Sequence, residues 1–431
     1  MLTDNALTSQ RLKNAILFAS TMWLSSRLII WVAMLLIAPA LPIPSSGEAP
    51  GAGWDVFSQW DSRHYEKIVT KGYQFKDNGK GYNVAFFPLY PLLIKGAISL
   101  GLSFEVAGTI INNVAFWGAL VVLYLWAEER HGRRVAQWAT AALAWCPFSL
   151  FGAVVYTEGL FLLGSTAALR AFDRQQYGWA ALFGALTTAI RPPGVALIPT
   201  FLVVAWREKR SLRDPRKGSP RAYLTALLTS TGILSYMLYC WLRFQQPLAF
   251  LLAQRGWRPV EEFHWKPWLS LLTTVIVGAA NEDKGRLVDP WYPLAMIAIA
   301  LLSLLLWKMR DRLGFPKTGY GFCILAILLW LVGGSPLISV VMVLGGGYLI
   351  WHFRNRLAPT AFWYGLFSWV IILGLGRTIS VERFAFGCAP LAIAFGLLIS
   401  RYPRWGYAVL IFFSILLASY SIRFAQGLWA G

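Results

Sequence analysis

Residues 105–127 read EVAGTIINNVAFWGALVVLYLWA, and Glu105 at the very start is the only charge in them. A stretch of this length and apolarity is what a helix needs to cross the roughly 30 Å hydrocarbon core of a bilayer. Similar stretches recur along the whole chain, at about 15–40, 135–152, 157–172, 178–190, 193–206, 222–242, 290–307, 319–333, 335–351, 358–376, 384–399 and 405–422. Several fall short of the roughly 20 residues a straight span requires. The pair flanking Arg191-Pro192-Pro193-Gly194 reads as bent or incomplete helices. The fold class expected is all-α integral membrane: a polytopic helical bundle of about 11–13 spans, forming one membrane domain over residues 1–431 with no internal repeat. The first apolar stretch lacks a small-residue cleavage site, so it reads as a membrane helix rather than a removed signal peptide.

Composition points the same way. Only 14% of the 431 residues are charged and 57% are hydrophobic, with a mean hydropathy of +0.53, leaving too little charge to cover a soluble protein of this size. Sixty-six aromatic residues exclude a disordered chain. The net charge of +19 would suggest nucleic acid in a soluble protein, but in a membrane protein it reads as cytoplasmic loops enriched in Lys and Arg. No nucleic-acid-binding motif is present. Cys146, Cys240, Cys323 and Cys388 stand apart inside apolar stretches, which argues against disulfides and zinc.

The basic residues also set an orientation. With a cytoplasmic N-terminus, the segments 128–134, 170–176, 207–221, 308–317, 352–357 and 401–404, with Arg11 and Lys13, lie inside and hold 22 of the 39 Lys and Arg. Two long loops, about 41–104 and 243–289, then fall on the outer face. The first carries Trp54, Trp60, Tyr65, Tyr73, Phe86, Phe87 and Tyr90; the second carries Trp257, Trp265 and Trp268. Loops this rich in aromatics belong at a membrane interface.

The polar residues that stand out cluster in and beside these loops. In Trp54–Tyr73, WDVFSQWDSRHYEKIVTKGY, the positions Phe57, Trp60, His64 and Ile68 fall on one face of a helix, with Asp61 and Tyr65 at its border. A carboxylate at such an edge can be tuned by burial and by neighbouring cations into a general base. Pairing of Asp61 with Arg63 or Lys67 at the surface is the competing reading. The prolines of Asn83-Val-Ala-Phe-Phe-Pro-Leu-Tyr-Pro91 favour a short re-entrant or interfacial element over a span, with a plain covering loop as the alternative. Glu158 opens an apolar stretch, where it either caps the helix dipole or serves a site. Arg191 has apolar neighbours on both sides and suits a phosphate. Arg377 and Arg383, flanking Glu382, add to a basic outer pocket. Arg27, inside the first span, needs a partner or a polar cavity. The histidines 64, 131, 264 and 352 are too scattered for a metal cluster, although His264 in the second loop is placed to line the same site. No P-loop, GxGxxG, GxSxG or HExxH is present, which argues against ATP-driven pumps, hydrolases and membrane zinc proteases.

Taken in order, several of these segments resemble the PIG-V-type mannosyltransferases. They are Gln59-Trp-Asp-Ser-Arg-His-Tyr65, Gly72-Tyr73, Asn83 to Pro91, Cys146-Pro-Phe-Ser149, Tyr156-Thr-Glu-Gly-Leu-Phe161, Arg191-Pro-Pro-Gly194, and Glu382-Arg-Phe384 with Pro390. The resemblance implies a GT-C fold and transfer of mannose or another hexose from a polyprenyl- or dolichyl-phosphate sugar to a lipid or glycolipid acceptor. It implies inversion at the sugar carbon on the non-cytoplasmic face, with Asp61 as base. Arg191 and Arg383 would bind the lipid phosphate, and Glu158 would orient the acceptor. Trp60, Tyr65, Asn83 and His264 complete the expected substrate contacts. No cofactor is implied, and no metal site is indicated. The membrane would be the inner membrane of a bacterium or the endoplasmic reticulum of a eukaryote. Two departures stand out: Asp61 is followed by Ser62 where many GT-C enzymes show a second acid, and Arg-Pro-Pro-Gly replaces the Arg-Ser-Asn-Gly type. A transporter or flippase, or an inactive subunit of a glycosylation complex, are the competing functions. The enzyme reading requires Asp61, Glu158 and Arg191 to converge.

Overall fold

The computed structural model describes residues 2–51, 53–211, 220–257, 265–376 and 378–429. Among them every regular element is a helix, as the apolar stretches require of a chain whose backbone polar groups cannot turn to water. Among the described residues six helices are long and apolar enough to cross a bilayer unaided: Ser9–Ala40, Phe104–His131, Pro220–Phe244, Trp291–Gly314, Lys317–His352 and Pro403–Ala425. The polytopic all-α class therefore holds. Fewer helices than the 11–13 expected spans have full length, because glycine and proline cut the apolar stretches. Gly132, at φ 83°, ends the helix Phe104–His131 within the expected connecting segment 128–134. Pro147 then turns the end of the expected 135–152 span into a 3-10 segment, Pro147–Gly152. Gly334, at φ 59° and ψ −149°, breaks the helical path of Lys317–His352 at the expected boundary between 319–333 and 335–351.

The centre of the bundle is the helix Phe104–His131, which packs against Glu158–Asp173 and Arg133–Trp145, the latter lying on Ala389–Ile399. Phe116, Leu120, Leu123, Tyr124 and Trp126 are buried along it. The helix Trp291–Gly314 instead leaves Leu301, Leu304 and Leu305 more than half exposed, an apolar surface suited to lipid.

The first long loop is structured. It holds the helices Ser62–Lys71 and Leu89–Ile98 and the 3-10 turns Trp54–Phe57 and Asn83–Ala85. The amphipathic helix starts only at Ser62, because Trp60 sits at φ 57° and interrupts the helical path. Phe57 and Trp60 therefore do not share its face, and Ser62, Tyr65 and Ile68 are its buried residues. Tyr65 and Ile68 pack with Tyr90, Ile94, Phe104 and Val155. Val84 and Phe87 pack with Tyr236, Cys240 and Phe250, joining the first loop to the start of the second.

Candidate active site

Asp61 is the last residue before the helix Ser62–Lys71, and the loop that carries it is clamped to the segment 155–157. The Asp61 amide donates to the Tyr156 hydroxyl at 3.3 Å, and the Ser62 hydroxyl donates to the Val155 carbonyl at 3.0 Å. The Val155 amide donates back to the Phe57 carbonyl at 3.0 Å. The Tyr65 hydroxyl meets Thr157 Oγ1 at 3.5 Å. Asp61 is thus held beside the start of the next helix, Glu158–Asp173.

The backbone between Trp145 and Glu158 is irregular and buried, so its carbonyls need donors from within the protein. Two asparagines of the central helix supply them. Asn112 Nδ2 donates to the carbonyls of Phe151 and Val154 at 2.7 and 2.8 Å, and Asn113 Nδ2 donates to Ala153 at 2.8 Å. Asn112 Oδ1 accepts from the Gly159 amide at 2.8 Å. A side chain at Gly159 would collide with the Asn112 carbonyl and amide, which explains the glycine after the acid.

Glu158 is fully buried and is the hub of an ionic cluster. Its Oε2 accepts from the Thr157 amide at 3.1 Å. Its Oε1 accepts from Arg191 Nη1 at 2.7 Å and from Arg383 Nε at 3.2 Å. Arg383 Nη2 reaches on to Asp61 Oδ2 at 2.9 Å, so one guanidinium bridges both carboxylates. Arg191 leaves its helix in an extended conformation just before the 3-10 turn Pro192–Ala196, and its guanidinium lies 5.1 Å from the Phe384 ring centroid. Arg383 stands on the short helix Val381–Phe386, entered through Ser380 at φ 63°. Its guanidinium lies over Phe151 and Tyr156, at 4.7 and 4.9 Å.

Two cations and two anions balance, as a buried cluster must. Exposure is uneven: the Asp61 side chain is 27% exposed, against 10% for Arg191, 7% for Arg383 and none for Glu158. The cluster therefore opens at Asp61. Such an arrangement offers a reachable carboxylate for proton transfer, backed by guanidinium groups able to hold a developing anion.

The remaining sequence candidates lie around this cluster or away from it. Tyr65 is buried beneath it, and burial raises its hydroxyl pKa. Trp60 is 39% exposed and meets Trp429 edge-on at 5.1 Å. Asn83 spends its amide on the loop itself, donating to the Gly72 carbonyl at 3.0 Å and accepting from the Gln74 amide at 2.7 Å. Glu382 turns away, accepting from the Ser339 hydroxyl at 3.2 Å. Arg27 finds a carbonyl and a ring rather than an acid: it donates to Ser149 at 2.9 Å and lies over Phe116. His64 stacks on Phe86 at 4.6 Å, and burial lowers its pKa, with Asp61 working in the opposite direction. His264 and Arg377 lie outside the described residues. Among the described residues no group of three or more His, Cys, Asp or Glu is placed to hold a metal ion. The sequence reading passed over Tyr156, Phe151, Asn112 and Asn113. Two adjacent amides in an otherwise apolar helix were the available signal for the asparagines.

Residues 46–242 match the family described as Mannosyltransferase (PIG-V). GPI alpha-1,6-mannosyltransferase 2 of Rattus norvegicus is 23% identical over 360 residues, covering 71% of this chain and 72% of the rat protein. The Homo sapiens protein of the same name is 26% identical over 152 residues, which is 33% of this chain and 30% of that one. Among solved structures, the apo Archaeoglobus fulgidus oligosaccharyltransferase aligns with a TM-score of 0.49 at 15% identity, over 96% of this chain and 56% of its own. This chain thus spans a little over half of that protein. ArnT from Cupriavidus metallidurans, solved with undecaprenyl phosphate, aligns with a TM-score of 0.40 at 13% identity, over 94% and 77%. The family match contains Asp61, Glu158 and Arg191, while Arg383 lies beyond it. The resemblance read from the motifs is borne out over residues 46–242, where the chain matches the Mannosyltransferase (PIG-V) family.

Proposed function

We propose that this glycosyltransferase moves mannose, or another hexose, from a polyprenyl- or dolichyl-phosphate sugar to a hydroxyl of a lipid or glycolipid on the non-cytoplasmic face, with inversion and with Asp61 as the base. The observation that carries the proposal is the bridging of Asp61 and Glu158 by Arg383, with Arg191 on the same Glu158 oxygen. The acceptor hydroxyl attacks the anomeric carbon. A carbon–oxygen bond forms there, the bond to the phosphate oxygen breaks, and the proton passes to Asp61.

The charges change together in this step. As Asp61 takes the proton it loses its hold on Arg383, while the departing lipid phosphate gains a negative charge. Arg383 exchanges one anion for the other, with Arg191 beside it, and the cluster's total charge is preserved. Glu158, fully buried and bonded to both arginines, fixes their positions. A cavity of about 540 Å³, lined almost wholly by apolar groups, supports a lipid substrate. Its walls include Phe386, which lies on the short helix that carries Arg383, and Cys388 just after it.

The test is sugar transfer by the purified protein in nanodiscs, supplied with polyprenyl-phosphate-mannose and mixed lipid acceptors. Wild type is run beside Asp61→Asn, which keeps the shape and removes the base. A loss of about 10²- to 10⁴-fold is expected. Equal activity in the two proteins would remove Asp61 from the mechanism, and no transfer from any lipid-phosphate sugar would remove the donor class.

A further inference from the structure

A second cavity, of about 750 Å³, lies away from the ionic cluster. Arg207 lines it from the helix Leu197–Ser211, Trp351 from the end of Lys317–His352, Arg354 and Asn355 from the turn that follows, and Phe362 and Trp363 from Pro359–Leu373. The helix bearing Arg207 begins beside Arg191, and ten helical residues separate its start from Arg207, a rise of about 15 Å. This cavity therefore borders a helix, Leu197–Ser211, whose near end follows Arg191 of the candidate active site.

Each arginine lies over an indole: Arg207 at 5.7 Å from the Trp363 centroid and Arg354 at 4.9 Å from Trp351. Arg354 also donates to the Trp351 carbonyl at 3.1 Å. Neither pairs with a carboxylate among the described residues, whereas Arg130, Arg170 and Arg174 each do. Two guanidinium groups without counter-ions among the described residues, framed by tryptophans and continued by apolar Val204 and Leu366, form the pattern that binds a phosphodiester head group while its chains run along the protein into the bilayer.

We propose that this cavity is a binding site for an anionic phospholipid, whose phosphate lies between Arg207 and Arg354. The two arginines make a negatively charged lipid the fitting occupant, and the indoles hold them in place when it is absent.

The experiment titrates the purified, detergent-held protein with dioleoylphosphatidylglycerol, dioleoylphosphatidylcholine or inorganic phosphate. It reads bound lipid by native mass spectrometry, together with the thermal midpoint. Phosphatidylglycerol is expected to bind and to raise the midpoint, and the other two ligands to do neither. Arg354→Gln, on an exposed turn where folding is not at stake, should weaken phosphatidylglycerol about fivefold, and Arg207→Gln with Arg354→Gln about 25-fold. Sugar transfer in a fixed lipid mixture reports that the variants are folded. Unchanged affinity in Arg354→Gln, equal binding of phosphatidylcholine, or an equal effect of phosphate alone would each overturn the proposal.

Discussion

Glu158→Gln is the sharpest perturbation of the ionic cluster. The wild-type carboxylate has no exposure and receives three donors: Arg191 Nη1 and Arg383 Nε on one oxygen, the Thr157 amide on the other. A glutamine has one oxygen and one NH₂ in the same space. Facing its oxygen to the arginines turns the NH₂ onto the Thr157 N–H, and the reverse orientation turns it onto two guanidinium groups. Either way a donor meets a donor. The charge count also fails, because two buried cations then share the single anion of Asp61.

Removing one partner from a buried pair costs about 3–5 kcal/mol, much of it the burden of the uncompensated charge. The same reasoning predicts partial rescue. Glu158→Gln with Arg191→Gln leaves one cation and one anion, Arg383 and Asp61, still joined at the 2.9 Å contact. The double variant should therefore be more stable than the sum of the single losses, by about 1–3 kcal/mol. Unfolding titrations of all four proteins in the same mixed micelles measure this. A single-variant cost below about 0.5 kcal/mol, or strictly additive losses, would refute the account of a balanced, desolvated cluster.

Gly159→Ala puts a methyl group onto the Asn112 carbonyl and side-chain oxygen, and should cost about 1–3 kcal/mol in the same titration. Asn83→Ala strands the Gly72 carbonyl and the Gln74 amide, with a stability loss of about 1–3 kcal/mol and a KM change no larger than that loss explains. A raised KM at unchanged stability would instead make Asn83 a substrate contact. For His64, burial sets the folded pKa below the ordinary 6.5, so the unfolded chain binds the proton first on acidification. Stability should be complete above pH 6.5 and should decline as pH falls from there toward the folded value, and His64→Phe should flatten that decline relative to wild type.

How much of this was readable in the sequence varies with the kind of order involved. Segment-level chemistry was readable: Asp61, Glu158 and Arg191 each stood out because a charge beside an apolar stretch needs a reason, and the three converge through Arg383. The convergence itself was not, since Arg383 is 322 residues from Asp61 and 225 from Glu158. Local period misled where backbone conformation broke it. Extending the helical face back from Ile68 through His64 to Trp60 assumed a helix that Trp60, in the left-handed region, does not continue. Span ends were less legible than span positions, since hydropathy says what a residue can face and not where Pro147 turns the chain.

The same irregular backbone that ends the expected 135–152 span early is what builds the site. A straight helix across 146–157 would keep its carbonyls to itself and carry its side chains past one another at fixed spacing. Broken there, the segment instead places the Phe151 and Tyr156 rings under Arg383, and the Tyr156 hydroxyl at the Asp61 amide. The cost is a set of carbonyls inside an apolar bundle, and the chain meets it with donors from neighbouring helices: Asn112 for Phe151 and Val154, Asn113 for Ala153, Arg27 for Ser149. Arg27, the charge that looked most out of place, thus belongs with the asparagines as a support of this segment. With the break held rigid, the buried hub Glu158 faces two guanidinium groups whose positions no solvent can relax, and only Asp61 is left open to a reacting partner. On the proposed mechanism, that is the electrostatic preorganisation required by a glycosyl transfer with an anionic leaving group.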